Sequence, residues 1–231
     1  MADQALAELV IAMDGTAGAG KSTASRGVAT TLGLRYLDTG AMYRAVTLQA
    51  LNAGVRLDDS AAVCRIAEQV LILAGTTPTA PTITLDGVDV SADIRSARVT
   101  GAVSQVSAVP RVREVLVEQQ RREIGSGGIV VEGRDIGTVV APNARLKVYL
   151  TADPGARARR RTAELTLDHD RDLETVQAAL LRRDASDSGR AAAPLSAAAD
   201  AVVLDSTYLT LPAVVETIVG LARDRVGLTE H

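Results

Sequence analysis

Eight consecutive residues near the N-terminus have the types and spacing of a loop that binds phosphate groups, Gly-Thr-Ala-Gly-Ala-Gly-Lys-Ser. Glycine tolerates the backbone angles that turn successive N–H groups toward one anion. Lys21 can reach the terminal phosphates of a nucleoside triphosphate, and the hydroxyl of Ser22 can bind Mg²⁺. We therefore expect the triphosphate to be bound by Gly15, Thr16, Ala17, Gly18, Ala19, Gly20, Lys21, Ser22 and Thr23.

Such a loop needs a buried strand before it and a helix after it. The apolar run 9–13 predicts the strand, and the pattern of 21–32, ending at Gly33, predicts the helix. Further short apolar runs predict strands at 34–37, 129–131, 146–150 and 201–204, which alternate with helices predicted at 40–52, 59–74, 111–124 and from Pro212 onward. This alternation predicts an α/β fold, a five-stranded parallel sheet with helices on both faces.

Two regions break the alternation, and we interpret both as insertions. Residues 82–90 form two short alternating runs around Asp86-Gly87, which predicts a β-hairpin, and a helix is expected at 97–107. The second region has charged helices at 155–165 and 172–185 on either side of the polar segment 166–171.

The composition indicates a folded domain and argues against several classes of function. The chain has 231 residues, 47% hydrophobic and 23% charged, with a formal net charge of -3. A broad basic surface for nucleic acid is therefore not expected, and no apolar run is long enough to cross a membrane. One cysteine and no signal peptide predict a cytoplasmic location, and we expect a monomer.

Arginines outnumber lysines by 23 to two, Lys21 and Lys147. This raises the question of what a guanidinium could not do at those two positions.

A phosphotransferase that acts on a small acceptor needs a second anion site opposite the first, and a cover that excludes water. Three segments carry suitable charges: Leu-Asp-Thr-Gly-Ala-Met-Tyr-Arg at 37–44, Ile-Val-Val-Glu-Gly-Arg-Asp-Ile-Gly at 129–137 and Arg-Asp-Ala-Ser-Asp-Ser-Gly-Arg at 183–190. Two of them follow predicted strands, at the sheet edge where open α/β folds bind ligands. A GTPase is not indicated, because the chain has no guanine-reading Asn-Lys-x-Asp segment.

Taken together, these segments resemble the bacterial cytidylate kinases, which phosphorylate CMP and dCMP with ATP. The resemblance rests on GTAGAGKS, YLDTGAMYR, TITLDGVDVSADIR, SQVSAVPRVRE, VVEGRDIGTVV, RRDASDSGRAAAPL and AVVLDST, in the family's order and spacing. It extends from about Leu9 to the last helix. The chain differs in having Thr16 where proline is usual and Thr39 where serine is frequent, and Glu132 stands where aspartate is also found, which leaves the role of Glu132 open.

The resemblance implies a role for each matching residue. CMP would be bound by Asp38, Thr39, Arg44, Ser104, Arg113, Arg134 and Asp135, of which Ser104, Arg113 and Asp135 would read the cytosine edge. Arg183 and Arg190 would hold the transferring phosphate, positioned by Asp187, and with Lys21 they form the expected catalytic set. Arg157, or another arginine of 157–161, would lie near the adenine or its phosphates. Mg²⁺ would accompany ATP, with Ser22 as its ligand.

The same resemblance implies a division into three parts: a core of 1–38, 106–154 and 191–231, an insertion for the monophosphate at 39–105 and a helical lid at 155–190. Two alternatives stay open. One is a kinase for another small acceptor, such as UMP, AMP or shikimate, and the other is a non-catalytic nucleotide sensor. A sensor would not need Arg44, Arg134 and the arginines of the lid together.

Overall fold

The computed structural model describes residues 2–165, 172–190 and 193–228. Its strands are β1 Val10–Gly15, β2 Arg35–Asp38, β3 Ile72–Ala74, β4 Ile83–Leu85, β5 Val88–Asp89, β6 Ile129–Glu132, β7 Leu146–Thr151 and β8 Val202–Asp205. Its α-helices are α1 Ala2–Ala7, α2 Lys21–Leu32, α3 Thr39–Asn52, α4 Ser60–Gln69, α5 Ala97–Ser107, α6 Pro110–Ile124, α7 Pro154–Leu165, α8 Leu173–Ser188 and α9 Leu211–Arg225. A 3-10 turn at Asp93–Arg95 and a π-helical turn at Ile136–Val140 complete the regular structure.

Five strands form one parallel sheet in the order β2-β6-β1-β7-β8, with helices on both faces, so the predicted architecture is confirmed. Side chains of β1 alternate between the two faces. Ile11 and Met13 pack in an apolar cluster with α2 and α9, whereas Ala12 belongs to a cluster with α3, α5 and α6. The carboxyl ends of β1 and β6 therefore lie side by side, between helices from both halves of the chain.

The first insertion contains a three-stranded antiparallel sheet in the order β3-β4-β5. The predicted hairpin is confirmed: Asp86 and Gly87 form its turn with φ of +51° and +83°. The helix predicted at 59–74 is wrong in its last turn, because α4 ends at Gln69 and Ile72–Ala74 form the third strand. Ile72 is buried while Leu71 and Leu73 are exposed, so the burial of these three residues alternates as it does in a strand.

The second insertion consists of α7 and α8, as predicted, and the segment 166–171 between them lies outside the described residues. No helix in the described ranges is long and apolar enough to cross a membrane. The apolar cluster of α3, α5 and α6 continues without interruption into the small sheet. The first insertion is therefore packed on the main sheet through a shared core.

Gly15 ends β1 in a backbone conformation that residues with a side chain rarely adopt, with φ of +140°. A Cβ built there would lie 1.9 Å from the carbonyl oxygen of Leu150, in the neighbouring strand β7. We therefore expect Gly15→Ala to lower the free energy of unfolding by at least about 3 kcal/mol, measured by urea denaturation.

Gly220→Ala is the matched control, because Gly220 is exposed on α9 with no atom within 4 Å of the added Cβ. It is expected to raise the free energy of unfolding by about 0.5–1 kcal/mol. Equal stabilities of the two variants would contradict the close approach of β1 and β7 at Gly15.

Candidate active site

A single cleft of about 1120 Å³, counting the space at its open mouth, lies at the carboxyl ends of β1 and β6. It contains most of the residues that the sequence indicated, namely Ala17, Gly18, Gly20, Lys21, Ser22, Thr23, Asp38, Thr39, Arg44, Arg113, Arg134, Asp135, Arg183, Asp187 and Arg190. Five indicated residues do not line it: Gly15, Thr16, Ala19, Ser104 and Arg157. Open parallel sheets bind ligands at this edge, where the chain crosses to opposite faces of the sheet.

The loop of residues 15–22 brings the ammonium of Lys21 and the first N–H groups of α2 to this cleft. Gly20, with φ of +89°, precedes α2 without a side-chain cap, so the first N–H groups of the helix remain available to an anion. The buried ammonium of Lys21 donates to the carbonyl oxygens of Gly15 and Thr16, each at 2.8 Å. Burial lowers the pKa of Lys21, and the neighbouring guanidinium of Arg134 lowers it further. A bound phosphate would favour the charged form of this lysine.

Glu132, whose role the sequence left open, is fully buried at the end of β6 beside the loop. It accepts a hydrogen bond from the hydroxyl of Tyr36, a buried residue of the adjacent strand β2. Burial, and then the negative charge of Asp38, raise the pKa of Glu132 to about 7. The hydrogen bond from Tyr36, the Lys21 ammonium and the Ser22 hydroxyl lower this pKa and so act in the opposite direction. A carboxylate and a hydroxyl therefore meet at the phosphate-binding loop.

Asp38, Thr39 and Arg44 are positioned by the start of α3. Asp38 caps this helix, accepting from the Ala41 N–H at 3.0 Å, and its other oxygen pairs with Arg95 at 3.4 Å. The Thr39 hydroxyl donates to the carbonyl oxygen of Glu132 at 2.7 Å. One turn along, Arg44 donates to the Ile94 carbonyl at 3.1 Å and to the Thr100 hydroxyl at 2.8 Å. These bonds fix a guanidinium against the insertion and leave it facing the cleft.

Arg113 and Asp135 form a buried ion pair on the far side of the cleft, and each side chain is only 6% exposed. Arg113 also donates to the Ser107 carbonyl at 3.2 Å, and its guanidinium lies 5.3 Å from the centre of the Tyr43 ring. Charge and stacking together hold the pair in one orientation. Ser104, expected beside them, does not line the cleft, and its carbonyl accepts from the hydroxyl of Ser107, which does. Its base-reading role stays a prediction.

Arg134, Asp187 and Arg190 form a linked group that joins the second insertion to the core. Asp187, 1% exposed on α8, accepts from the Nε of Arg134 at 3.0 Å and pairs with Arg190. Arg134 also donates to the Gly15 carbonyl at 3.0 Å. The Nε of Arg183 is buried with no hydrogen-bond partner among the described residues. Burial, with the positive charges of Arg134 and Arg44, lowers the pKa of Arg183 to about 9.

The arginines of α7 point to three different places. Arg157 is 4% exposed, pairs with Asp184 and donates to the Ala17 carbonyl at 3.0 Å, so it holds the back of the loop. Arg160 donates to the Ala19 carbonyl at 3.3 Å and to the Ser206 hydroxyl at 2.9 Å, and it lines a second cavity beside the loop. Arg161 lines the main cleft. Arg157 therefore faces the protein, and Arg160 and Arg161 face space that a nucleotide could fill.

Sequence reasoning assigned no role to Tyr43, Ser107 or Arg95, which also line the cleft. Tyr43 stands beside Arg44 in a quoted segment, and Ser107 lies one helical turn after Ser104, so nearby motifs offered a signal for both. Arg95 ends the quoted segment 82–95, but nothing in that segment linked it to the cleft, because its carboxylate partner, Asp38, lies 57 positions earlier in the chain.

Comparison with known proteins gives a consistent result. A family model described as cytidylate kinase matches residues 11–224. A relative named cytidylate kinase from Streptomyces avermitilis is 50% identical over 219 residues, which cover 94% of this chain and 94% of that protein. One with the same name from Nocardia farcinica is 52% identical over 213 residues, covering 91% of each chain. Another, from Mycobacterium avium, is 48% identical over 221 residues, covering 95% of this chain and 97% of its own.

The buried Arg113–Asp135 pair makes a prediction about stability. In Asp135→Ala the guanidinium of Arg113 loses its counterion in a buried position, so the free energy of unfolding should fall by about 3–5 kcal/mol. Glu118→Ala is the control, because Glu118 pairs with Arg122 on the exposed side of α6, and its loss should change stability by less than about 1 kcal/mol. Urea denaturation measures both, and a small effect of Asp135→Ala would contradict the ion pair.

Proposed function

This chain belongs to the cytidylate kinase family, and we propose that it transfers the γ-phosphoryl group of ATP to CMP or dCMP, giving ADP and CDP or dCDP. The observation that carries the proposal is the crowding of positive side chains around one cleft between two anion-binding segments. Lys21 belongs to the loop for the donor, whereas Arg44 and Arg134 lie on the acceptor side. Cations crowded in this way repel one another, and two phosphorylated substrates would neutralise them.

Phosphoryl transfer requires positioning and charge stabilisation more than acid–base chemistry. A phosphate oxygen of CMP attacks the γ-phosphorus, and the bond from that phosphorus to the bridging oxygen of ADP breaks. We assign Arg44, Arg134 and Thr39 to the acceptor phosphate. Lys21 would exchange its carbonyl partners for donor phosphate oxygens. Arg183 and Arg190 would contact the transferring group, with Asp187 holding Arg190 and Arg134 in place.

The chain's residues also fit the Mg²⁺ that accompanies ATP in kinases. Mg²⁺ prefers oxygen ligands, usually one or two from the protein together with phosphate oxygens and water. Ser22 is exposed at the loop beside the buried carboxylate of Glu132. We propose that Ser22 holds the ion and that Glu132 supports it. When bound, Mg²⁺ would neutralise charge on the β- and γ-phosphates.

Recognition of the bases is assigned to two places. The carboxylate of Asp135 would accept from the cytosine amino group, while Arg113 would donate to the ring acceptors, and Ser104 would assist. The adenine of ATP would extend into the cavity lined by Arg160, Thr23 and Leu209. In this assignment Arg157 supports the loop from behind, through its bond to the Ala17 carbonyl.

The remaining parts of the proposal concern the oligomeric state, the cellular location, the partners and the closure of the site. We also propose that the enzyme acts as a monomer. Consumption of ATP and CMP or dCMP supports a cytoplasmic location, and we propose no nucleic-acid or membrane partner. Residues 39–105 and 155–190 would close over the core of 1–38, 106–154 and 191–231, which would keep water from acting as the acceptor.

The direct test measures ADP release with CMP, dCMP, UMP, AMP and shikimate as acceptors. We expect turnover with CMP and dCMP, and a loss of about 10²–10³-fold in kcat for Lys21→Met, because a charged contact to the transferring group is removed. CMP binding to that variant, measured by calorimetry, should be nearly unchanged.

Arg56→Met serves as its control, because it removes one positive charge from an exposed surface pair with Asp58. That variant should keep full activity. Wild-type preference for AMP or shikimate would refute the acceptor assignment, and ATP binding without turnover of any acceptor would indicate a sensor.

Base selection has its own prediction, for which Asp135→Asn is the suitable change because it keeps the shape of the side chain in the buried pair. An amide can face either cytosine or uracil, so kcat/KM for CMP should fall by about 100-fold, and that for UMP by less than about threefold. Steady-state kinetics with both nucleotides measure the ratio, and Glu118→Gln on exposed α6 is the control. An unchanged ratio would leave Asp135 with a purely structural role.

A further inference from the structure

Asp14 is a buried carboxylate that the proposed chemistry does not use. It is the residue of β1 immediately before the phosphate-binding loop, and it is 4% exposed. One of its oxygens accepts from the N–H of Ile136 at 2.7 Å, and the other accepts from the N–H of Gly137, also at 2.7 Å. Both oxygens are therefore bonded to consecutive backbone groups more than 120 positions along the chain.

Those two N–H groups belong to the first residues of the π-helical turn at Ile136–Val140. The first N–H groups of any helix have no partner within it. In this turn the bonds begin further on, with Val139 N–H donating to the Asp135 carbonyl at 2.9 Å and Ala141 N–H to the Ile136 carbonyl at 2.7 Å. Asp14 thus caps this turn from a different strand. Only an ionised carboxylate can accept with both of its oxygens and present no donor.

The capped turn directly follows Arg134 and Asp135, which line the cleft. Two further bonds join the same pair of segments: Gly133 N–H donates to the Met13 carbonyl at 3.0 Å, and Arg134 donates to the Gly15 carbonyl at 3.0 Å. The Arg134 guanidinium faces the cleft and can exchange its carbonyl for a phosphate, whereas Asp14 is buried and does not line the cleft. Asp14 therefore connects the acceptor side to the loop through bonds that a ligand in the cleft would not contact.

Space around this junction is tight. A Cβ built on Gly137 would lie 3.1 Å from the Cδ of Lys147 and 3.4 Å from an oxygen of Asp14. The backbone of the turn is thus packed between the carboxylate of Asp14 and the stem of Lys147. A turn released from Asp14 would move away from β1, and Arg134 and Asp135 would move with it.

From this geometry we infer that Asp14 is a positioning residue, which sets the place of Arg134 and Asp135 relative to the phosphate-binding loop. The inference rests on the proposed function in one respect, the assignment of Arg134 and Asp135 to the acceptor nucleotide. The loop itself keeps its own supports, since Gly15 pairs with β7 and Lys21 bonds to loop carbonyls. Loss of the Asp14 carboxylate should therefore affect the acceptor more than ATP.

The test is Asp14→Asn, in which the amide keeps one acceptor and turns a donor toward the second N–H. We expect KM for CMP to rise at least about fivefold, with KM for ATP changed by less than about twofold, because only the acceptor side is released. Asp59→Ala is the control: it removes the cap of α4, where Asp59 accepts from Ala62 at 3.0 Å, and should lower the melting temperature without changing either KM. Equal rises in both constants for Asp14→Asn would overturn the inference.

Hydrogen exchange by mass spectrometry gives a readout that does not depend on activity. Peptides covering residues 134–141 should exchange faster in Asp14→Asn, and peptides covering α9 should not. Unchanged exchange at 134–141, or equal acceleration throughout, would overturn the inference. A wild-type protein inactive toward every acceptor would refute the proposed function, and exchange alone would then decide the role of Asp14.

Asp14→Glu covers the case in which Asp14→Asn does not fold. It keeps the charge and both acceptor oxygens but displaces the turn by one methylene group, so the same imbalance between the two KM values is expected. A KM for CMP equal to that of the wild type, in a variant whose turn is displaced in exchange experiments, would overturn the inference.

Discussion

The carbonyl oxygen of Gly15 accepts hydrogen bonds from both Lys21 and Arg134, and the two halves of the site meet at this atom. Lys21 belongs to the loop that we propose binds the donor, and Arg134 follows the strand β6, on the side proposed for the acceptor. The bond requires β1 and β6 to end at the same level, which their parallel register provides by pairing Met13 with Glu132. The sheet order, the strand lengths and the buried cap at Asp14 all help to position Arg134 beside the carbonyl oxygen of Gly15.

Bringing these groups together without a ligand places several positive side chains close to one another. Burial and neighbouring cations lower the pKa of Arg183 to about 9. Burial also lowers the pKa of Arg44 to about 10, with a further contribution from Arg95, although the negative charge of Asp38 acts in the opposite direction. Asp187 compensates part of the charge by pairing with two arginines. Positive side chains still outnumber carboxylates among the residues that line the cleft, so binding of two phosphorylated substrates would relieve a repulsion between these side chains.

Local signals made part of this structure predictable. The helix α2 lies where it was predicted, because Gly33 ends it with its own N–H bonded to the helix, and the Asp86-Gly87 turn likewise depends on adjacent residues. The strand β3 was missed because its apolar spacing fits a helix as well, and only pairing with β4 decides. The role of Asp14 was also missed, because its partners are far along the chain. A single acidic residue after an apolar run forms no pattern that would indicate this role.

The two lysines show how geometry selects a side chain in a chain otherwise rich in arginine. Lys21 places one buried, compact ammonium 2.8 Å from two carbonyl oxygens that belong to adjacent residues, where the larger planar guanidinium of an arginine would need more room. Lys147 has a buried stem that packs along the turn at Gly137, and its single nitrogen reaches Asp200 at 2.8 Å. Arg134, by contrast, bridges a carboxylate through its Nε and a carbonyl through a terminal nitrogen, which uses the separated donors of a guanidinium. Each of the two lysines thus places one compact charge, and both lie beside the segments that Asp14 joins.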